Sequence, residues 1–395
     1  MIEHDRRAVI VLAVAQALYL SAAAVVFTFS GLAGYALAED KALATLPVAL
    51  MTVATAVATV PASLLMARIG RRRGFVLGAL FGAASGAVST VAIMAGNFAL
   101  FCLGGTLMGV FQGFAMYYRF AAADAVDPSG KAKAVSWVLA GGVAAALVGP
   151  QIAAWSRSAL PTAEFAGSYL AVVVLSLLSI VVLGALRMPT ARSAEVRGGR
   201  PLLAIARQPA FIVAVLNAAI AYGVMSFVMT ASPLAVVAEG HGADAAASVT
   251  SWHLLGMFLP SFVTGSLIAR LGLVRVLLAG AGLLLASGAT ALANPAALSH
   301  YHIALLLLGV GWNFLFIGGT TLLAETYRPA ERAKVQAANE FVVFGASAAA
   351  ALAAGGVQTG FGWAAVNWSA VPLVVVAAAA TLWLASRMKR SPARA

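Results

Sequence analysis

The chain has 395 residues, of which 62% are hydrophobic and only 10% are charged, and its mean hydropathy is +0.95. Because soluble domains carry about 25% charged residues, this composition excludes a soluble globular protein and indicates an integral membrane protein. A net charge of +12 alone would be compatible with nucleic-acid binding. The one cysteine, Cys102, lies in an apolar run, so we expect no intramolecular disulfide.

Apolar stretches of about twenty residues, long enough to cross a bilayer as a helix, follow one another along the chain. The first, 8–37, is too long for a cleaved signal peptide, so we expect a spanning helix there. The pattern predicts an all-α membrane protein with twelve transmembrane helices at 8–37, 43–68, 74–96, 98–123, 133–156, 165–186, 209–236, 246–269, 273–294, 301–324, 335–358 and 363–386.

Basic residues are distributed unevenly among the predicted loops. With the N-terminus in the cytoplasm, nearly all of the 25 Lys and Arg residues fall on the cytoplasmic side, and the other face keeps only Lys41 and Arg157. This asymmetry is the positive-inside pattern of membrane proteins. It explains the positive charge without a nucleic-acid partner, and it predicts that both termini are cytoplasmic.

The two halves of the chain resemble each other. Residues 63–79 match 265–281 at an offset of 202, and 123–135 match 324–336 at an offset of 201, which indicates duplication of a six-helix unit. Transporters are commonly built from such pseudo-symmetric halves, which rock around a central site. The predicted parts are an N-terminal bundle at 1–187, a cytoplasmic linker at 188–208 and a C-terminal bundle at 209–395.

The loop after the second span contains ARIGRR (67–72), and the matching loop of the second half contains ARLG (269–272). Both resemble the loop motif of the major facilitator superfamily, with alanine in place of its acidic residue. The resemblance implies the superfamily fold of two pseudo-symmetric six-helix halves. It also implies transport by alternating access through the bacterial inner membrane.

Charged residues near the cytoplasmic ends of the spans are candidates for a gate. We expect ion pairs such as Arg119 with Asp124 to brace that gate, while Glu340 also lies near a cytoplasmic end. No carboxylate is expected near the midplane, which disfavours drug/proton antiport. The gate or coupling candidates are Arg68, Arg71, Arg72, Arg119, Asp124, Arg270 and Glu325.

Soft donor side chains lie in two consecutive spans. Met225 and Met229 are four residues apart in the seventh span, as are His253 and Met257 in the eighth. Residues four apart share one helix face, and the four side chains match in depth between antiparallel neighbours. Neutral thioether and imidazole donors suit Cu(I), and imidazole also suits Cu(II). Methionine is often a packing residue, but the joint pattern, with the one histidine expected inside a span, predicts a copper transport site.

These paired motifs resemble those of CcoA-type copper importers within the same superfamily. The resemblance implies import of copper for assembly of cbb3-type cytochrome c oxidase, with copper as the transported substrate and no cofactor. Copper would first meet Met229 and His253 and then move deeper to Met225 and Met257. Copper chaperones would be further partners, and we expect a monomer in the lipid bilayer.

Alternatives to copper import remain open. The segment GVFQG (109–113) and Gly149-Pro150 resemble motifs of drug exporters, although glycine replaces the arginine of the first motif. Import of an aromatic vitamin such as riboflavin is a second alternative. The aromatic residues that would stack on such a flat ring are Phe111, Phe114, Tyr117, Tyr118 and Trp312.

A transporter-like metal sensor is a third alternative, which we disfavour because only seven residues follow Met388. The sequence contains no nucleophile–base set and no hydrolytic metal motif. We therefore expect no enzymatic activity.

Overall fold

The structure is a computed structural model, and it describes residues 3–127, 131–160, 163–188, 199–294 and 296–390. These residues form α-helices, two 3-10 turns (Lys41–Leu43 and Pro329–Glu331) and loops, with no β-strand among them. The α-helices are α1 (Glu3–Leu37), α2 (Leu46–Ile69), α3 (Arg71–Met94), α4 (Phe98–Ala115), α5 (Tyr118–Asp124), α6 (Lys131–Ser156), α7 (Ala166–Gly184), α8 (Leu202–Ala206), α9 (Pro209–Ala238), α10 (Ala243–Phe258), α11 (Ser261–Leu271), α12 (Leu273–Ala293), α13 (Leu298–Ala324) and α14 (Arg332–Arg390).

All twelve predicted spans lie on these helices, although not always as single rods. The fourth span is divided into α4 and α5, and the eighth is bent by 42° between α10 and α11. Helix α14 has 59 residues and contains the last two spans. A straight helix of that length would measure about 88 Å, almost three times the bilayer core of about 30 Å. Gly362 (φ 79, ψ 179) interrupts it and allows the chain to change direction.

Matching glycines end the second span of each half. Gly70 (φ 86) separates α2 from α3, and Gly272 (φ 87) separates α11 from α12. Residues with a Cβ rarely adopt this backbone conformation, whereas glycine does so readily. The two glycines are 202 residues apart, so the chain turns at equivalent places in both copies of the repeat.

Close contacts between helices are also repeated. A Cβ added to Gly109 of α4 would lie 2.1 Å from the carbonyl oxygen of Met51 in α2, and one added to Gly309 of α13 would lie 2.4 Å from that of His253 in α10. Small residues allow membrane helices to approach until their backbones touch. Helix pairs α2/α4 and α10/α13 are therefore equivalent contacts of the two halves.

The two halves meet where α6 packs against α10 and where α2 packs against α14. We call the end of the helices that carries Arg71 and Glu331 the basic end, and the end that carries Thr45 and Arg157 the opposite end. The names follow the distribution of Lys and Arg residues.

Polar contacts join the halves at the opposite end. The Thr45 hydroxyl donates to the carbonyl oxygen of Ala351 (2.8 Å) and accepts from the backbone N–H of Gly355 (3.1 Å). Arg157 Nη1 lies 3.4 Å from Asp244 Oδ1. Among the described residues, no hydrogen bond or ion pair joins the halves at the basic end. In the part of the chain that the structure describes, the two halves are thus joined by polar contacts at the opposite end and not at the basic end.

The end of the predicted linker is attached to the second half. Residues 189–198 of that linker lie outside the described residues, so its start stays a prediction. Arg200 donates through Nε (2.9 Å) and Nη2 (2.7 Å) to the carboxylate of Glu331, which is fully buried. The backbone N–H groups of Arg200 and Arg328 donate to the same carboxylate. These donors hold the pKa of Glu331 well below its usual range.

Candidate functional site

The four predicted copper ligands are buried in one place. Met225 and Met229 of α9 and Met257 of α10 belong to one apolar cluster, built mainly from the second half, and His253 of α10 is fully buried. Among the described residues, no group of three or more His, Cys, Asp or Glu side chains could hold a metal ion. A metal site in this cluster would therefore depend on the thioethers.

His253 is fixed by α13. Its Nδ1 lies 2.9 Å from the carbonyl oxygen of Leu305, while Nε2 is buried and has no hydrogen-bond partner among the described residues. Asn313 of α13 donates to the carbonyl oxygen of Met257 (2.7 Å) and to Ser261 Oγ (2.6 Å), and so spans the bend between α10 and α11. The ligand role of the four residues stays a prediction.

The expectation that His253 is the one histidine inside a span is wrong. His300 and His302 lie in the first turns of α13, which begins three residues earlier than predicted, at Leu298. His302 Nε2 lies 2.9 Å from Ser248 Oγ of α10. His302 thus contributes a hydrogen bond to the contact between α10 and α13, as His253 does.

Most of the predicted flat-ring platform packs inside the first half. A Cβ on Gly82 would lie 2.4 Å from the ring of Phe111, and one on Gly78 would lie 2.6 Å from the side chain of Phe114, so both rings fill the surface of α3. The Tyr118 ring meets Phe75 edge-on at 4.8 Å between ring centroids. These three residues belong to the core, and Tyr117 and Trp312 remain from the predicted set.

A different aromatic cluster surrounds Tyr222 of α9. Its ring makes edge-on contacts with Trp312 (5.2 Å between centroids), Phe316 (5.0 Å) and Phe344 (5.7 Å). Trp312 and Phe316 are stacked, with 14° between their planes. We call these four residues the Tyr222 cluster. Tyr222 and Phe316 are half-buried, and Trp312 Nε1 has no hydrogen-bond partner among the described residues.

The first half contributes a related pair. Tyr19 of α1 meets Phe111 edge-on at 5.1 Å between ring centroids, and α1 packs against α9, the helix that carries Tyr222. Tyr19 and Tyr222 are 203 residues apart, and Phe111 and Trp312 are 201 apart, close to the offsets of the repeated motifs. Extending the repeat to single aromatic positions would have identified Tyr19 and Tyr222, which the sequence analysis missed.

The charged gate candidates do not pair as predicted. Asp124 Oδ2 lies 2.6 Å from Arg71 Nη2, so the expected pair of Asp124 with Arg119 is wrong. Arg119 instead stacks its guanidinium on Phe120, 4.9 Å from the ring centroid, and interacts electrostatically with Glu340 of the other half. The reason is spatial, because Asp124 ends α5 next to the start of α3.

The remaining gate candidates are on the surface. Their side chains are exposed, and within the described ranges none forms an ion pair; they are Arg68, Arg72, Arg270 and Glu325. In the second half the buried pair at the basic end is formed by Glu331 with Arg200 of the linker. A sequence search limited to the repeat misses this pair, because the linker occurs once.

The sequence profile described as Major Facilitator Superfamily matches residues 12–245 and 214–395 of the chain. The chain belongs to this superfamily. The fold agrees: the xylose transporter XylE from E. coli superposes with a TM-score of 0.73 at 14% identity, covering 95% of this chain and 96% of XylE. The human organic anion transporter MFSD10 (TETRAN) superposes with a TM-score of 0.69 at 16% identity, covering 95% and 99%.

Relatives in sequence are more informative about substrate. The riboflavin transporter RfnT of Brucella anthropi is 44% identical over 374 residues, which cover 94% of each chain. YdeG of Bacillus subtilis, an uncharacterized transporter of the same superfamily, is 30% identical over 84% of this chain and 80% of its own length. These relatives give no support to copper import.

Membership of the superfamily confirms the coarser predictions. The chain is an all-helical, multi-pass secondary transporter, and nothing in the relatives indicates a catalytic function. The site of a major facilitator lies between its two halves. Tyr222 packs against the buried cluster that holds Met225, Met229 and Met257, and that cluster also includes Ala24 and Ala146 of the first half.

Proposed function

We propose that this major facilitator takes up riboflavin, or a closely related flat heteroaromatic compound. The observation that carries the proposal is the 44% identity to a riboflavin transporter over 94% of both chains. This was the second alternative from the sequence, and we now prefer it to copper import.

The aromatic residues between the halves support a flat substrate. An aromatic ring prefers offset-stacked or edge-on contact with other rings, and the Tyr222 cluster offers rings from α9, α13 and α14, of which those of Tyr222 and Phe316 are half-buried. Tyr19 of the first half lies on α1, which packs against α9. A tricyclic ring held between these residues would be covered by both halves in turn during alternating access.

The proposal is tested by uptake of labelled riboflavin into bacteria that can neither make riboflavin nor import it by another route. We expect the wild-type chain to support uptake, Tyr222→Ala to reduce it strongly, and Phe341→Ala to leave it unchanged, because the Phe341 side chain is 76% exposed. Absence of uptake by wild-type protein that is present in the membrane would falsify the proposal. A loss of accumulated riboflavin would instead assign export.

Copper import is the second candidate, and the observation in its favour is that the buried Nε2 of His253 has no hydrogen-bond partner among the described residues. Copper uptake should then be lost in His253→Leu, which removes the imidazole donor without supplying a sulfur in its place, while riboflavin uptake should persist. Unchanged copper uptake in this variant, with the protein present in the membrane at the wild-type level, would remove the candidate.

We also propose that the basic end faces the cytoplasm of the bacterial inner membrane, in agreement with the positive-inside pattern. Cysteine labelling checks this orientation. A cysteine at Arg72 should be protected from an impermeant reagent in intact cells, and one at Glu239, at the opposite end, should react.

A further inference from the structure

Two oppositely charged residues lie at similar depth in different halves. Arg119 is five residues before Asp124, the last residue of α5 at the basic end, and Glu340 is six residues after Lys334, near the start of α14 at the same end. At about 1.5 Å of rise per residue, Arg119 lies about 8 Å from the end of α5, and Glu340, eight residues after Arg332, lies about 12 Å from the start of α14, so their depths differ by less than one helical turn. Charged groups inside spans are costly and usually serve a function.

Both residues adjoin the proposed substrate site. Glu340 lies one helical turn before Phe344 on the same face of α14, and the Phe344 ring contacts Tyr222 at 5.7 Å between centroids. Arg119 is near enough to Glu340, Tyr117 and Tyr222 for its charge to act on all three. Arg119, Tyr117 and Glu340 are partly buried. The charges therefore stand beside Tyr222, with one contributed by each half.

Neither charge is neutralised by direct contact. The described ion pairs include none between Arg119 and Glu340, and Arg119 Nε is buried without a hydrogen-bond partner among the described residues. Its described contact is with the face of the adjacent Phe120 ring. Buried charged donors without a partner are unfavourable, so a ligand that supplies the missing contacts would be stabilised here.

We propose that Arg119 and Glu340 bind the imide edge of the flat substrate, that is, a carbonyl–NH–carbonyl edge. The guanidinium donates to a carbonyl oxygen and the carboxylate accepts from the ring N–H. The isoalloxazine ring of riboflavin carries such an edge, so the inference rests on the proposed function and deepens it. Because each half supplies one of the two groups, the substrate edge links the halves.

The alternative explanation is that the two charges attract each other when the basic end closes, with no contact to substrate. The two explanations differ in one respect. Only recognition of the imide edge predicts that the pair distinguishes riboflavin from 3-methylriboflavin, in which the N–H is replaced by N–CH₃.

The experiment measures binding of riboflavin and 3-methylriboflavin to the purified full chain by quenching of flavin fluorescence, together with uptake of both in cells. We expect the wild type to bind riboflavin at least about tenfold more tightly than the methylated compound, as for loss of a hydrogen bond to a charged group. In Glu340→Ala the ratio should fall to about threefold or less. Arg119→Met should weaken binding of both compounds by at least about tenfold.

Two controls test whether the effect is specific. Phe341→Ala changes the neighbouring exposed residue of α14, and Glu239→Gln removes an exposed acid at the opposite end. Both should keep the wild-type ratio.

Three outcomes would overturn the inference. Wild-type protein that binds no riboflavin rejects the proposed function along with the inference. Riboflavin binding with an unchanged ratio in Glu340→Ala rejects the inference alone. Recovery of wild-type binding and ratio in the charge-exchanged variant, Arg119→Glu with Glu340→Arg, would assign the pair to closure of the halves.

Discussion

The two halves keep the same helix contacts but use equivalent positions differently. Gly109 and Gly309 bring their helices against a neighbouring backbone in the same way. Phe111, by contrast, is buried against α3, whereas Trp312 at the equivalent position is stacked on the half-buried ring of Phe316 in the Tyr222 cluster. The packing of small residues is thus the same in the two halves, and the surroundings of the equivalent aromatic residues differ.

The first way to test this comparison is to remove an aromatic ring from each half. Tyr222→Ala should weaken riboflavin binding by about 5- to 150-fold, the effect of about 1–3 kcal/mol for one stacking ring. Phe111→Ala should instead destabilise the fold by about 3–5 kcal/mol, because it leaves a cavity beside Gly82. Fluorescence quenching and thermal unfolding of the purified variants measure the two effects.

The division between binding and packing fails if Tyr222→Ala is destabilised while its riboflavin affinity is unchanged. It also fails if Phe111→Ala weakens binding without a change in unfolding temperature. Phe341→Ala, at an exposed ring, is the control for loss of an aromatic side chain as such.

The conserved contacts should respond alike in both halves. Gly309→Ala forces its new Cβ against the backbone of His253 and Met257, and Gly109→Ala does the same against Met51. Overpacking of this kind costs about 1–3 kcal/mol, so we expect both variants to unfold at lower temperature. Gly345→Ala, where a Cβ would meet no atom within 4 Å, should not. A large effect in one half alone would contradict the equivalence of the two contacts.

The fold could be predicted from sequence because its signals are local and repeated. Apolar length identifies the spans, and the glycines at 70 and 272 recur at the offset of the loop motif. The break at Met116 was missed because the residues around it remain apolar. The bend between α10 and α11 does have a local signal, Pro260, but a count of apolar length does not register a single proline. Hydropathy reports transfer to lipid and contains no information on direction within the span.

The candidate site was harder to predict, since it depends on which face of each helix turns to the centre. Met225 and Met229 are four residues apart, which is the spacing of two metal ligands on one helix face and also of two packing residues on that face. Spacing alone therefore does not distinguish a metal site from a packed core. Phe111, Phe114 and Tyr118 were grouped by sequence proximity, yet they pack on α3. Arg200 and Glu331 are 131 positions apart in the sequence, so no local sequence pattern predicts their ion pair.

Charge pairs at the basic end provide a further comparison between the halves. Glu331 is fully buried and accepts from the backbone N–H groups of Arg200 and Arg328, so Glu331→Gln should raise hydrogen exchange at both amides by about tenfold. The folded-state pKa of Glu331 is depressed. Its stabilising effect is therefore present above the unfolded pKa of about 4.3 and is lost as the pH falls below it.

The difference in exchange between wild type and Glu331→Gln should accordingly shrink when the pH is lowered below about 4. Hydrogen exchange with mass spectrometry, corrected for the intrinsic rate at each pH, measures it. A difference that grows on acidification would mean that the carboxylate is not the acceptor that holds the linker.

The smallest effect is expected for the corresponding pair of the first half. Arg71 and Asp124 are 32% and 52% exposed, and exposed ion pairs contribute about 0–1 kcal/mol because water and salt screen them. Asp124→Asn should therefore leave the unfolding temperature within about 2 °C of wild type. If riboflavin uptake nevertheless falls severalfold, the pair acts during closure of the basic end, a state in which it is shielded from water. If the unfolding temperature falls instead, the first half depends on its exposed ion pair as the second half depends on Glu331. The proposed contrast between the charge pairs of the two halves would then be wrong.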